Sequence, residues 1–184
     1  MAENKEISVL SFTKKVLNAF DEVAKRKVFK KGSFLLREGE IERNIYLIEK
    51  GAVRVFYLSE FEEIIFRLGY DGSIINSLSS FVSNKPSEFY IQTIRQTKVK
   101  IISKETLQHI LKESQDSLEQ YTEFLEYLLI QQIDREIDLL TASPAKRLER
   151  VLKRSPDLFQ HVPLKYIASY LRMKPETLSR VRNS

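Results

Sequence analysis

The chain contains no cysteine and only two histidines, His109 and His161, among its 184 residues. Without thiols it can form neither disulfide bonds nor thiolate-ligated zinc or iron–sulfur centres. The two histidines are far apart in the sequence and have no metal-ligand spacing. We therefore predict no metal site and no certain cofactor.

Long apolar runs and catalytic motifs are also absent. No apolar segment is long enough to cross a membrane, and residues 1–12 lack the basic start and apolar centre of a signal peptide. The sequence has no nucleophile elbow, no glycine-rich phosphate loop and no carboxylate pair at a defined spacing. We expect a cytoplasmic protein that is not an enzyme and does not contact a membrane.

Glycine and proline are scarce, and their distribution divides the chain. All five glycines lie between residues 32 and 72, whereas four of the five prolines occur from Pro144 onward. Short runs rich in β-branched and aromatic residues accompany the glycines, which is typical of an antiparallel β-sandwich or barrel. The predicted strands are Ser33–Arg37, Asn44–Ile48, Ala52–Tyr57, Ile64–Leu68, Phe89–Ile94 and Val99–Ile102.

Helical periodicity flanks this β-region. Val9–Lys25 is predicted to be helical, and a long helix is expected from about Lys104 to Leu140. Its apolar stripe either packs on its own domain or forms a dimer interface with a second copy of the helix. The residues of this predicted interface are Leu118, Tyr121, Leu125, Leu128, Ile133 and Ile137. A hinge is predicted near Thr141–Ser143, followed by a helix over Pro144–Lys153.

The last segment, Val162–Arg182, has the pattern of two short helices joined by a tight turn. Apolar residues of both helices face inward, and Ala168 is small where the helices must cross. Pro175 suits the first position of the second helix. Glu176, Ser179 and Arg180 fall together on the opposite face of that helix, as a helix that contacts bases in the major groove requires. An ordinary helical hairpin is the alternative interpretation.

The charge distribution favours DNA. Residues 142–184 contain ten Lys or Arg and three Asp or Glu, a net charge of +7, whereas the whole chain carries +5. The basic excess therefore lies entirely in the last quarter. Such an excess beside a helix–turn–helix pattern is typical of a surface that follows DNA phosphates.

In order and spacing these motifs resemble the Crp/Fnr family of bacterial transcription regulators. The resemblance is carried by Phe29–Glu40, Asn44–Tyr57 around Gly51, and Lys165–Arg180. It implies an α+β fold with an antiparallel, jelly-roll-like β-barrel sensor domain (double-stranded β-helix; residues 1–115). A dimerisation helix (116–141) and a helix–turn–helix DNA-binding domain (142–184) follow. The family's usual wing after the second helix is missing.

The resemblance assigns roles within the helix–turn–helix. Glu176, Ser179 and Arg180 match the base-reading positions in the Fnr branch, which implies half-sites of the TTGAT type. The residues expected at phosphates are Lys165, Arg172, Lys174, Thr177 and Arg182. Arg172 stands where the family turn usually has glycine, so a left-handed backbone there would be strained. Lys174 replaces the usual Ser or Thr cap.

The ligand pocket departs from the family pattern. In cyclic-nucleotide-binding members a Gly-Glu pair and a later Arg-Ser pair hold the ligand, and an ungapped alignment places Asn76-Ser77 and Ser87-Glu88 there. The balancing arginine is lost, which argues against cyclic AMP or GMP. Arg95 is close in sequence, but its direction is open, as is the presence of another ligand. The degenerate pocket is predicted to involve Ile75, Asn76, Ser77, Ser87, Glu88 and Gln132.

The predicted function is therefore a homodimeric transcription regulator that binds a palindromic site in duplex DNA. RNA polymerase is a further partner that the resemblance leaves open. The alternative is a ligand-binding sensor or protein-interaction module whose helix–turn–helix is vestigial, and the missing wing is its support. The oxygen-sensing chemistry of the Fnr branch requires cysteines and is excluded.

Overall fold

The computed structural model describes residues 24–60, 62–112 and 115–183. Within them, eight strands precede most of the helices. The strands are β1 (Lys25–Phe29), β2 (Phe34–Leu36), β3 (Asn44–Lys50), β4 (Ala52–Leu58), β5 (Glu63–Tyr70), β6 (Ile74–Ile75), β7 (Tyr90–Thr93) and β8 (Thr97–Ser103). The helices are α1 (Leu78–Ser83), α2 (Lys104–Lys112), α3 (Gln115–Leu140), α4 (Pro144–Arg154), α5 (Leu158–His161), α6 (Leu164–Tyr170) and α7 (Pro175–Arg182).

The strands form two four-stranded antiparallel sheets, ordered β1-β8-β3-β6 and β2-β7-β4-β5. Neighbours within each sheet are mostly distant in sequence, as in a jelly roll. The alternating side chains of both sheets bury one core that contains Ile48, Val53, Ile91 and Val99. This arrangement confirms the predicted α+β fold with an antiparallel β-domain.

Gly51 makes the turn between β3 and β4 possible. Its φ of +122° lies in a region that side-chain-bearing residues rarely adopt. A Cβ atom there would lie 2.6 Å from Thr97 Oγ1 and 2.7 Å from the Gln96 carbonyl oxygen. The Gly51 N–H donates to Asp71 Oδ1 over 2.7 Å, which fixes the turn against the next hairpin.

All six predicted strands are present, but four elements were missed. β1 has four exposed residues and so lacks apolar alternation, and it forms by pairing with β8. The predicted first helix was wrong at its end, because Lys25 begins this strand, and the rest of that helix lies outside the described residues. β6, α1 and α5 have two, six and four residues, too few for a periodic pattern to show.

The helices after β8 follow the predicted order. Helical segments cover Lys104–Lys112 and Gln115–Leu140, and α4 begins at Pro144 as expected. Ser143 caps α4 by accepting a hydrogen bond from the Lys146 N–H. The non-helical residues 141–143 lie at the predicted hinge. No helix within the described residues combines the length and the apolar character that crossing a bilayer requires.

One hydrophobic cluster joins the β-domain to the C-terminal helices. Ala52 and Ile94 of the β-domain are buried together with apolar residues of α4 to α7. The α6 helix packs on β5, and the Tyr70 ring stacks on His161 with 4.8 Å between ring centroids. The C-terminal helices are therefore packed directly on the β-domain.

Candidate nucleic-acid interface

Helices α6 and α7 form a helix–turn–helix with a fully apolar interior. Ile167, Leu171 and Leu178 are completely buried, and Ala168 is 1% exposed at the predicted close crossing. Pro175 is at the start of α7, and Lys174 provides no side-chain cap, both as expected. The local apolar pattern therefore determines this part of the fold.

The outward face of α7 carries the predicted base-reading residues. Glu176, Ser179 and Arg180 are all exposed, and Asn183 is exposed just beyond the helix end. Their spacing of three and four places them on one face. The Glu176 carboxylate can accept a hydrogen bond from a cytosine amine, and the Arg180 guanidinium can donate two hydrogen bonds to guanine. The Ser179 hydroxyl can donate to or accept from a base edge.

The predicted phosphate-contacting residues lie on α6, on α7 and in the turn between them. Lys165, Arg172, Lys174 and Arg182 are exposed, and Thr177 is half-buried. The Arg182 guanidinium lies 4.6 Å from the centre of the Phe159 ring, and Lys165 Nζ lies 4.8 Å from that of Tyr166. Such stacking limits the freedom of long side chains while their charges stay in solvent.

The turn between α6 and α7 contains a non-glycine residue in the left-handed region. Arg172 has a φ of +53°, as its alignment with the family glycine suggested, at a cost of about 1–2 kcal/mol. The side chain of Arg147, from α4, reaches this turn and donates to the carbonyl oxygens of Leu171 and Arg172. In the sequence Arg147 is visible only as one positive charge of residues 142–184, because no local pattern shows a contact between residues so far apart.

An open cleft of about 470 Å³ separates the turn from the β4–β5 hairpin of the β-domain. One side is basic, with Lys165, Arg172 and Lys174, and the other is acidic, with Glu62 and Glu63. Glu63 forms an ion pair with Arg54, which also lies 5.3 Å from the centre of the Tyr166 ring. The β-domain therefore places negative charge beside the predicted phosphate-contacting residues.

Buried charges connect the long helix α3 to the C-terminal module. Asp138 is completely buried and accepts from Arg150 Nε over 2.7 Å and from Arg154. Burial disfavours its ionised form, but hydrogen bonds from Arg154 and Arg150 outweigh this effect and lower the pKa of Asp138. Arg135 donates to the Phe66 and Tyr170 carbonyl oxygens, over 3.2 and 3.1 Å, and so contacts both β5 and α6.

The predicted ligand residues come together only in part. Ser87 Oγ lies 2.9 Å from Ser77 Oγ, both residues are buried, and Ser87 also bonds to the Phe89 carbonyl. Ile75 belongs to the hydrophobic core and Asn76 is half-buried, whereas Glu88 and Gln132 are exposed. Arg95 donates to the His161 carbonyl oxygen, so its charge faces the C-terminal module rather than the interior of the β-domain.

A buried carboxyl group beside these serines was missed. Glu42 is 1% exposed, and its backbone N–H donates to Ser80 Oγ over 2.9 Å. Its Oε1 accepts from the Asn44 N–H and from Tyr46 Oη, whereas Oε2 is buried without a hydrogen-bond partner among the described residues. Burial raises the pKa of Glu42 to about 7. In the sequence Glu42 is one of several acids near a turn and has no distinguishing pattern.

The predicted dimer residues lie on two sides of α3. Three of them are exposed, namely Leu118, Ile133 and Ile137. The other three are half-buried, namely Tyr121, Leu125 and Leu128. Tyr121 packs beside Leu47 and Ile102 of the β-domain. Further apolar side chains of α3 are exposed, and Leu140 among them belongs to the predicted apolar stripe. They are Leu129, Ile130 and Leu140, with 64%, 54% and 83% of their surface accessible.

Comparison with known proteins supports the fold. Residues 26–114 match the family model of the cyclic nucleotide-binding domain. FixK2 from Bradyrhizobium japonicum is 20% identical with a TM-score of 0.68, and the match covers 88% of this chain and 83% of that one. CLP from Xanthomonas campestris, a c-di-GMP-responsive global regulator, is 18% identical with a TM-score of 0.64, and the match covers 91% of this chain and 88% of that one.

A third similar structure is that of a proposed transcriptional regulator of the Crp/Fnr family from Eubacterium rectale. It is 18% identical with a TM-score of 0.64, and the match covers 90% of this chain and 80% of that one. No curated protein matches the sequence significantly. At these identities the likeness establishes a shared fold along most of the chain.

Proposed function

Because the chain has the fold of the Crp/Fnr transcription regulators, with a cyclic nucleotide-binding-type domain at residues 26–114, we propose that it is a sequence-specific DNA-binding regulator. The observation that carries this proposal is the α7 face. Glu176, Ser179 and Arg180 are exposed together on a helix whose other face is buried. A basic module with this geometry can place α7 in the major groove while the surrounding cations contact phosphates.

The active species is a homodimer in which α3 pairs with its copy. Support comes from Leu118, Leu129, Ile133 and Ile137, which expose apolar surface along one helix. A two-fold dimer presents two recognition helices to successive major grooves, so the target is palindromic, with half-site centres about 10 base pairs apart. The proposal also includes half-sites similar to TTGAT and a contact with RNA polymerase.

Cyclic AMP and cyclic GMP are not the effectors under this proposal. The hydroxyl groups of Ser77 and Ser87 are already hydrogen-bonded to each other, Glu88 is an acid beside the place of the family arginine, and Arg95 is directed to the C-terminal module. A cyclic phosphate placed there would lack a balancing cation. Regulation by another small ligand stays part of the proposal.

The test is selection of random duplexes on the purified full chain at two salt concentrations, with and without cyclic AMP, followed by sequencing. We expect a palindrome whose recovery falls with salt and is unaffected by cyclic AMP. A folded dimer that selects no sequence under any condition would favour the alternative, a sensor whose output is protein contact. Dependence on cyclic AMP would contradict the proposed pocket.

Arg180→Ala and Lys174→Ala then separate base contact from phosphate contact. Arg180→Ala should cost about 1–3 kcal/mol and relax preference at one position of each half-site. Lys174→Ala removes the same charge and should weaken all sequences alike, with a smaller dependence on salt. An unchanged sequence preference in Arg180→Ala would refute the assignment of α7 as the recognition helix.

A further inference from the structure

Arg147 contacts two structural elements with one guanidinium group. Its Nε and Nη2 donate to the Thr141 carbonyl oxygen over 3.2 and 2.8 Å. Its Nη1 donates to the Leu171 carbonyl oxygen over 2.6 Å and to that of Arg172 over 3.3 Å. Thr141 is the first residue after α3, and Leu171 and Arg172 form the turn that leads to α7. One side chain therefore joins the end of the proposed dimer helix to the turn before the recognition helix.

The turn needs such a partner. Carbonyl groups at the end of a helix have no intrahelical donor, and the left-handed Arg172 reverses the chain direction beside them. The turn's own hydrogen bonds run from the Arg172 N–H to the Ser169 carbonyl and from the Met173 N–H to the Ala168 carbonyl. A guanidinium at the C-terminal end of α6 adds charge-assisted bonds and complements the helix dipole.

The other end of the contact is equally well defined. The Thr141 N–H donates to the carbonyl oxygens of Ile137 and Asp138, and its hydroxyl donates to that of Ile137. The Thr141 carbonyl is therefore fixed to the last turn of α3. Independently, Asp138 holds α4 through Arg150 and Arg154. Arg135 of α3 reaches the Tyr170 carbonyl at the last residue of α6, and Arg147 extends this junction to Leu171 and Arg172 in the turn itself.

We propose that Arg147 is a positioning residue that fixes the recognition helix relative to the dimer helix and thereby sets the spacing between the two half-sites. This inference rests on the proposed function. In a two-fold dimer, a rotation at the hinge is repeated in both copies and so shifts the two α7 helices relative to each other. Two sets of carbonyl acceptors require the planar fork of arginine, because a lysine ammonium has the charge without that geometry.

The experiment uses the full chain and a library of palindromes whose half-site centres are separated by about 9 to 12 base pairs. Wild type should select one spacing. Arg147→Lys should keep the half-site sequence, bind about tenfold more weakly at that spacing, and accept neighbouring spacings nearly as well. Lys153→Met, which removes an exposed charge from the same helix, is the control and should keep the wild-type spacing.

A second variant separates positioning from simple stabilisation of the turn. Arg172→Gly relieves the left-handed backbone without restoring the link to Thr141. When added to Arg147→Lys, it should therefore recover thermal stability but not the preference for a single half-site spacing. If it recovers both, or if Arg147→Lys alone keeps the wild-type spacing, Arg147 does not position the recognition helix.

Amide hydrogen exchange tests the link without DNA. In Arg147→Lys, residues 138–143 and 171–174 should exchange faster together, while the interior of α4 keeps its protection. Unchanged exchange in either segment would overturn the proposal. If wild type selects no DNA sequence, the proposed function fails, and the exchange measurement still decides whether the link exists.

Discussion

Replacement of the buried Glu42 by glutamine should make the protein more stable above neutral pH. Burial raises the pKa of this carboxyl from 4.5 to about 7 in the folded state, and one pKa unit corresponds to about 1.4 kcal/mol. Between these two values the folded protein binds more protons than the unfolded chain, so stability falls as pH rises. The total loss at high pH is about 3 kcal/mol. Glutamine has nearly the same shape and never ionises.

The assay is urea unfolding of wild type and Glu42→Gln at pH 5 and pH 8. At pH 5 the folded carboxyl is protonated and the two proteins should differ by less than about 1 kcal/mol, whereas at pH 8 the variant should be more stable by about 2–3 kcal/mol. Glu88→Gln, at an exposed position, is the control and should show no such change. A stability difference that is independent of pH, or a variant that is less stable at pH 8, would refute the reasoning.

Three further predictions concern the turn, the dimer and the cleft. Gly51→Ala should lower the free energy of unfolding by about 3–5 kcal/mol, because the added Cβ would meet backbone atoms. Gly32→Ala, where a Cβ has open space, should lower it by about 1 kcal/mol. Equal losses for the two variants in denaturant titrations would contradict this prediction. Ile133→Glu, at a side chain 55% exposed in the single chain, should yield monomers in analytical ultracentrifugation, and a persistent dimer would place the interface elsewhere. Glu62→Lys should strengthen DNA binding several-fold at low salt and less at high salt. Glu60→Lys, at a residue outside the cleft lining, is the control and should have a smaller effect. Equal effects of the two variants would show that the position of Glu62 in the cleft does not matter for DNA binding.

Elements with a long or repeated local pattern could be predicted from the sequence. The six apolar strands and the helix–turn–helix follow from alternation, helical spacing and the position of Pro175, because each pattern is satisfied by residues close in the chain. β1 could not be predicted, since its charged residues become a strand only through pairing with β8. Short segments such as β6 provide too few residues for any period to be recognised.

In the candidate site, too, features that arise from a local pattern could be predicted, whereas contacts between distant residues could not. The shared exposed face of Glu176, Ser179 and Arg180 follows from helical spacing, and the left-handed backbone of Arg172 agrees with its alignment with a family glycine; the role of the α7 residues stays a prediction. Arg147 and Glu42 were not identified, since their significance depends on atoms from distant parts of the chain. Helical spacing does not reveal which side of α3 contacts the β-domain, and half of the predicted dimer residues are in fact partly covered by the protein's own structure.

The apolar cluster that joins Ala52 and Ile94 to the C-terminal helices has a practical consequence for dissecting this protein. A cut at residues 141–143 would expose Ala52 and Ile94, which are 0% and 4% accessible in the intact chain, and would remove apolar partners from the helical fragment. Chimeras with relatives should therefore exchange these contact residues as one set. A fragment boundary chosen from the hinge alone would divide a hydrophobic core.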